Sequence, residues 1–162
     1  MHRRTLLLAI ALAPCAPAFA AEETPRDIVA KLYRLSAGKG GKYDVPSAFF
    51  DAKVRRAHFS KSLNAALDAL DRLAKKKGEP GLDFDPITNS QDPSVNDLRI
   101  VLDGASTVVA SFQPEGAPKR MEVKYSFVQE GGGWRLDTMS STAGDEAWEL
   151  RKLVKTLTDE LK

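Results

Sequence analysis

Cysteine is nearly absent: Cys15 is the only one in 162 residues, and it lies in a segment that reads as a cleavable export signal. A chain processed after Ala20 contains none, which excludes structural disulfides, thiol redox chemistry and thiolate metal sites. Histidine is almost as scarce. His2 falls in the same segment, leaving His58 alone, so a zinc site made of several imidazoles cannot be assembled. A Ser-His-Asp triad would have to use His58, but no nucleophile motif surrounds any serine. With Arg55, Arg56 and Lys61 as neighbours, His58 is expected at the surface, partly exposed. An excess of one charge is also missing. There are 24 basic residues against 22 acidic, and without Arg3 and Arg4 the two signs balance. They interleave along the chain and leave no basic stripe for nucleic acid. Beyond the signal, no stretch approaches the ~20 apolar residues of a membrane span.

The signal itself has a basic start, an apolar run from Leu6 to Ala13 and the small-residue pattern Ala18-Phe19-Ala20. The expectation is a periplasmic or secreted protein cut near Ala20, with residues 21–162 forming one domain. Two variants stay open. Leu12-Ala13-Pro14-Cys15 resembles a lipoprotein box with Pro14 in place of a small residue, and Arg3-Arg4 resembles a twin-arginine signal.

Thr24-Pro25-Arg26-Asp27 predicts a helix running to about Ala37, with Ile28, Val29, Leu32, Tyr33 and Leu35 on its apolar face. The run Gly38-Lys39-Gly40-Gly41-Lys42-Tyr43 terminates it; a phosphate loop is excluded because Tyr43 stands where Ser or Thr is needed and no strand precedes it. Phe49, Phe50, Val54 and Phe59 suggest one short helix after Pro46, capped by Ser47. An amphipathic helix follows over Ser60 to Lys77, ended by Gly78. Four runs of period-two alternation then predict an antiparallel meander with one buried face: Leu98 to Leu102, Val108 to Phe112, Met121 to Phe127, and Trp134 to Leu136. A last helix is predicted over Asp145 to Leu161, with Trp148 on its apolar side. Helices first and a meander second make the fold class α+β.

The least ordinary stretch is the loop Asp83-Phe84-Asp85-Pro86-Ile87-Thr88-Asn89-Ser90-Gln91-Asp92. Its oxygen-bearing side chains could face a cation, but the calcium-loop pattern fails, with Thr88 where glycine is required and Ser94 where a bidentate glutamate belongs. The same side chains cap turns, and Asp85-Pro86 and Asp92-Pro93 pin the backbone. The candidate ligand- or partner-binding residues are Asp83, Asp85, Asn89, Gln91 and Asp92, joined by Tyr125 and Trp134 as core or cavity lining. No catalytic residue, metal or cofactor is assigned. Asp137 and Asp103 are the carboxylates considered for a general base.

The signal, Leu32-Tyr33, the step Phe59-Ser60-Lys61-Ser62-Leu63, the loop from Asp83 to Asp92 and the closing Gly133-Trp134-Arg135-Leu136-Asp137-Thr138-Met139 together resemble the YbjP/YqhG-like family of secreted bacterial proteins of unknown function. The resemblance implies a nuclear transport factor 2-like cone: a curved antiparallel sheet of four or more strands, about three N-terminal helices and a C-terminal helix around a cavity. Such cones host enzymes, ligand carriers and protein-binding modules alike. Three functions follow as expectations: a noncatalytic module binding an envelope protein, as an inhibitor or immunity protein would; a carrier of a small apolar ligand; and a carboxylate-dependent cavity enzyme.

Overall fold

The computed structural model describes residues 22–38, 41–43, 46–142 and 147–162. The predicted export segment, with Cys15, lies outside the described residues. No helix among the described residues is long and apolar enough to cross a membrane.

Helix α1 spans Pro25–Ser36 and starts in a capping box, Thr24 Oγ1 accepting from the Asp27 amide while the Asp27 carboxylate accepts from the Thr24 amide. It buries Ile28, Val29, Leu32 and Tyr33, while Leu35, expected on the apolar face, is 44% exposed. The single helix expected after Pro46 is two elements. A 3-10 turn at Ala48–Phe50, capped by Ser47, breaks at Asp51, whose carboxylate accepts from the Lys53 and Val54 amides and starts α2, Ala52–His58. Ser60 caps α3, Lys61–Lys77, and Gly78 ends it at φ 70°, a backbone that only glycine adopts without strain.

The strands β1 (Asn96–Leu102), β2 (Thr107–Gln113), β3 (Met121–Glu130), β4 (Gly133–Ser141) and β5 (Trp148–Glu149) form one antiparallel sheet in sequence order. Gly131 and Gly132, both at positive φ, make the two-residue turn between β3 and β4. The fifth strand replaces the start of the predicted last helix: α4 runs only over Leu150–Glu160, capped by Glu149.

One face of the sheet carries Val108, Ala110, Phe112, Val123, Tyr125, Phe127, Leu136 and Met139, all buried against the helices. The alternation on β4 slips by one because Phe127 pairs with Leu136 and Ser126 with Thr138, leaving Asp137 as the extra residue of a bulge. α1 packs on β1, β2 and β4, while α3 and α4 lie against each other. Among the described residues the result is an α+β fold of four helices on a curved five-stranded sheet.

His58 is a correction. It is buried, not at the surface, because α2 turns it inward with Arg55; its Nδ1 lies 3.4 Å from Glu23, and Arg55 reaches Asp71 at 2.8 Å. Desolvation, then the nearby Lys31, hold the His58 pKa below the ordinary value against the opposing pull of Glu23.

Candidate functional site

The loop between α3 and β1 is a built object. Asp85 and Ser90 exchange both backbone hydrogen bonds, at 3.0 and 3.4 Å, which closes the four residues between them into a tight lobe. Inside the lobe, Asp85 Oδ1 accepts from the Ile87 amide at 3.0 Å and Oδ2 from the Thr88 hydroxyl at 2.8 Å. Ser47, from the cap of the 3-10 turn, donates to the same carboxylate at 2.7 Å, so the lobe is tied to the segment before α2. Burial raises the Asp85 pKa, and the hydrogen bonds from Ser47, Ile87 and Thr88 only partly offset it.

The lobe anchors itself through Ile87. Its side chain is fully buried, and its carbonyl accepts from the Tyr33 hydroxyl at 2.8 Å. Tyr125 donates to the Tyr33 oxygen at 3.1 Å, so a chain of hydroxyls links β3 to α1 and the loop. Burial pushes both phenols above their ordinary pKa, and both stay neutral donors at physiological pH. Asn89 adopts a left-handed backbone at φ 52°, which costs about 1 kcal/mol in an L-residue. The Trp148 indole N–H donating to its Oδ1 at 2.6 Å helps to offset that cost.

These contacts sort the seven sequence candidates. Asp83, Gln91 and Asp92 are exposed on the outer side of the lobe, along one wall of a groove of about 510 Å³ that the buried Asp85 also borders, its carboxylate turned into the lobe. Asn89 points away toward Trp148, Met121 and Ser141, because its side chain is the clasp between the loop and the end of the sheet. The oxygen ligands pictured for a cation therefore do not share a centre, and no cluster of three acidic or imidazole side chains among the described residues could hold a metal. Tyr125 is fully buried under Ile87, in the core and not in the groove. Trp134 lies at the far end of β4 from the Ser141 that meets the loop, roughly 23 Å away at 3.3 Å per residue, and packs on the core near the Gly131–Gly132 turn.

The opposite wall holds residues not included among the candidates: Tyr43, Pro46, Ser47 and Phe50. Phe50 is 45% exposed although its ring meets Phe49 edge-on at 5.3 Å between centroids. The groove thus brings together an exposed ring, a half-buried phenol and the two exposed carboxylates of Asp83 and Asp92. Burial raises the Tyr43 pKa to about 12, and the Asp85 charge adds to the rise. Phe50 was readable only as an apolar helix position; the break at Asp51, a strong N-cap type, was the available sign that its ring need not turn inward.

The two carboxylates considered as bases sit elsewhere. Asp103 is exposed and pairs with Lys124 at 3.2 Å. Asp137 accepts from Ser60 Oγ at 2.7 Å and pairs with Arg151, which also donates to Ser62 Oγ at 2.7 Å and to the Asp137 carbonyl at 2.8 Å. Partial burial pushes the Asp137 pKa up, but the Ser60 hydrogen bond and the Arg151 guanidinium outweigh it and hold it below the usual carboxylate range. That direction is opposite to what a general base poised near neutrality requires.

No protein-family model, curated protein or solved structure matches this chain, so any reading of its function rests on the geometry above.

Proposed function

We propose that the protein is an exported binding module without catalytic activity, a YbjP/YqhG-like protein on a nuclear transport factor 2-like cone, which docks another envelope protein in the groove between Phe50 and the Asp83–Asp92 loop. Inhibitor and immunity proteins work in this way. The observation that carries the reading is the exposed Phe50 ring in the same groove as the exposed carboxylates of Asp83 and Asp92. A rigid aromatic anchor beside carboxylates suits a partner that inserts a lysine or arginine flanked by apolar surface. The loop's backbone and side-chain bonds are already made, so little ordering entropy remains to be lost on docking.

The small-ligand reading is supported less well. Ile87, Tyr33, Phe112 and Tyr125 pack together, each fully or almost fully buried, in the space where the lining of a cone cavity was expected.

Native mass spectrometry of the protein gently extracted from its host envelope tests the proposal. The expected result is added mass of protein size, lost in Phe50→Ala and in the pair Asp83→Ala with Asp92→Ala while the melting temperature holds. Added mass of a few hundred daltons would transfer the groove to the ligand reading. A bare monomer throughout would refute docking.

A further inference from the structure

The two edges of the sheet are finished differently. The outer edge of β4 is covered at Ser140 and Ser141 by β5, at Leu136 by the Ser60 amide at 2.9 Å, and at the Asp137 carbonyl by Arg151. The outer edge of β1 has no strand beside it among the described residues. Asp103 donates to Thr107 across the β1–β2 ladder, so alternation turns the amides and carbonyls of Leu98, Ile100 and Leu102 outward. Only the Ile100 carbonyl receives a described partner there, Arg26 Nε at 3.2 Å. The strand is also apolar where a solvated edge would be polar: Val101 is 61% and Leu102 48% exposed.

We propose that β1 pairs with β1 of a second copy, antiparallel about a two-fold axis at Val101, joining two five-stranded sheets. The sequence selects the register. Outward-facing residues must meet outward-facing residues, which leaves three registers over the middle of the strand. One centred on Arg99 sets Arg99 against itself. One centred on Ile100 sets Asp97 against Asp103 of the other copy. The register centred on Val101 sets Arg99 against Asp103 twice, once on each side of the axis, with Ile100 opposite Leu102. Side chains of Arg99 and Asp103 are well exposed and share the outer face with Val101; their pairs within the chain, Arg99 with Asp97 at 2.9 Å and Asp103 with Lys124 at 3.2 Å, are solvent-exposed and worth little, so both can add the partner across the seam. The second lone pair of the Ile100 carbonyl remains for the incoming Leu102 amide.

A bulge between Asn96 and Arg99 ends the pairable stretch. The seam is therefore short, well under the ~800 Å² per partner of a stable interface, and the dimer is weak.

Cross-linking makes so weak a dimer visible. In a Cys15→Ser background, Val101→Cys places two thiols in a non-hydrogen-bonded pair with Cα atoms about 4.5 Å apart, within disulfide reach. Mild oxidation is expected to give a covalent dimer, while Arg99→Cys, whose copies lie about 13 Å apart along the seam, stays monomeric. Adding Arg99→Asp or Asp103→Arg singly to Val101→Cys is expected to slow cross-linking about ten-fold, and the two together to restore it. The proposal is overturned if Val101→Cys stays monomeric at about 1 mM, if Arg99→Cys cross-links as fast, or if the double charge swap fails to restore the rate. Circular dichroism confirms that each variant is folded before its rate is compared.

Discussion

Asp85 and Asp137 are both partly or wholly shielded carboxylates that tie a loop or bulge to a helix start, yet they are held by opposite means. Asp85 is satisfied by neutral donors alone, two hydroxyls and an amide, with no cation among its described partners. Its pKa rises. Asp137 has the Ser60 and Ser62 hydroxyls as well, but Arg151 closes the cluster, and its pKa falls. Neutral donors can anchor a buried acid without making its charge comfortable, whereas one guanidinium reverses the balance.

Asp85→Ala is the strongest way to break this contrast. It strands Ser47, Thr88 and the Ile87 amide in a buried place, and the expected loss is about 4 kcal/mol in urea unfolding. Asp137→Ala should cost less, about 2 kcal/mol, because Arg151 is a third exposed and can turn to water. Asp85→Asn sharpens the comparison with the smallest change at neutral pH, within about 1 kcal/mol of the parent, but with a distinct pH signature. The raised folded pKa of Asp85 means that its contribution is fully present below the unfolded value near 3.8 and is lost as pH rises through the folded pKa. The parent should therefore lose stability relative to Asp85→Asn as pH climbs from about 4. Asp137 carries the reverse sign: its contribution is present above that unfolded value and is lost as pH falls through its lowered pKa. A matched Asp137→Asn profile checks this, and parallel profiles for the two variants would remove the contrast.

The helices and the meander were legible because their signals are local. Ser60, the leucine spacing and Gly78 mark both ends and the buried face of α3, and two alternating runs flank the Gly131–Gly132 turn. What was misread depends on contacts between distant parts. His58 looks like a surface residue beside Arg55, Arg56 and Lys61, but it lies on the inner side of α2 near Glu23, while Arg55 beside it pairs with Asp68 and Asp71. Trp148 fits a helical stripe, yet its indole is claimed by Asn89 and stacks edge-on with Phe84, which holds it in a strand. The bulge left one trace, the three-residue step from Leu136 to Met139. In the candidate site, the loop's composition singled out Asp83, Asp85, Gln91 and Asp92, while the facing wall of Tyr43 and Phe50 comes from another part of the chain with no shared motif.

The in-order sheet also bears on how the chain assembles. Every strand pairs with its neighbour in sequence, so the meander can grow hairpin by hairpin with short loop closures. The contacts that join it to the helices span far more chain: Tyr33 to Tyr125 is 92 residues, and Ser60 to Arg151 is 91. Tyr33→Phe, which removes the hydroxyl joining loop, helix and sheet without touching any hairpin, is accordingly a change whose weight should fall on the unfolding rate while refolding proceeds almost as before.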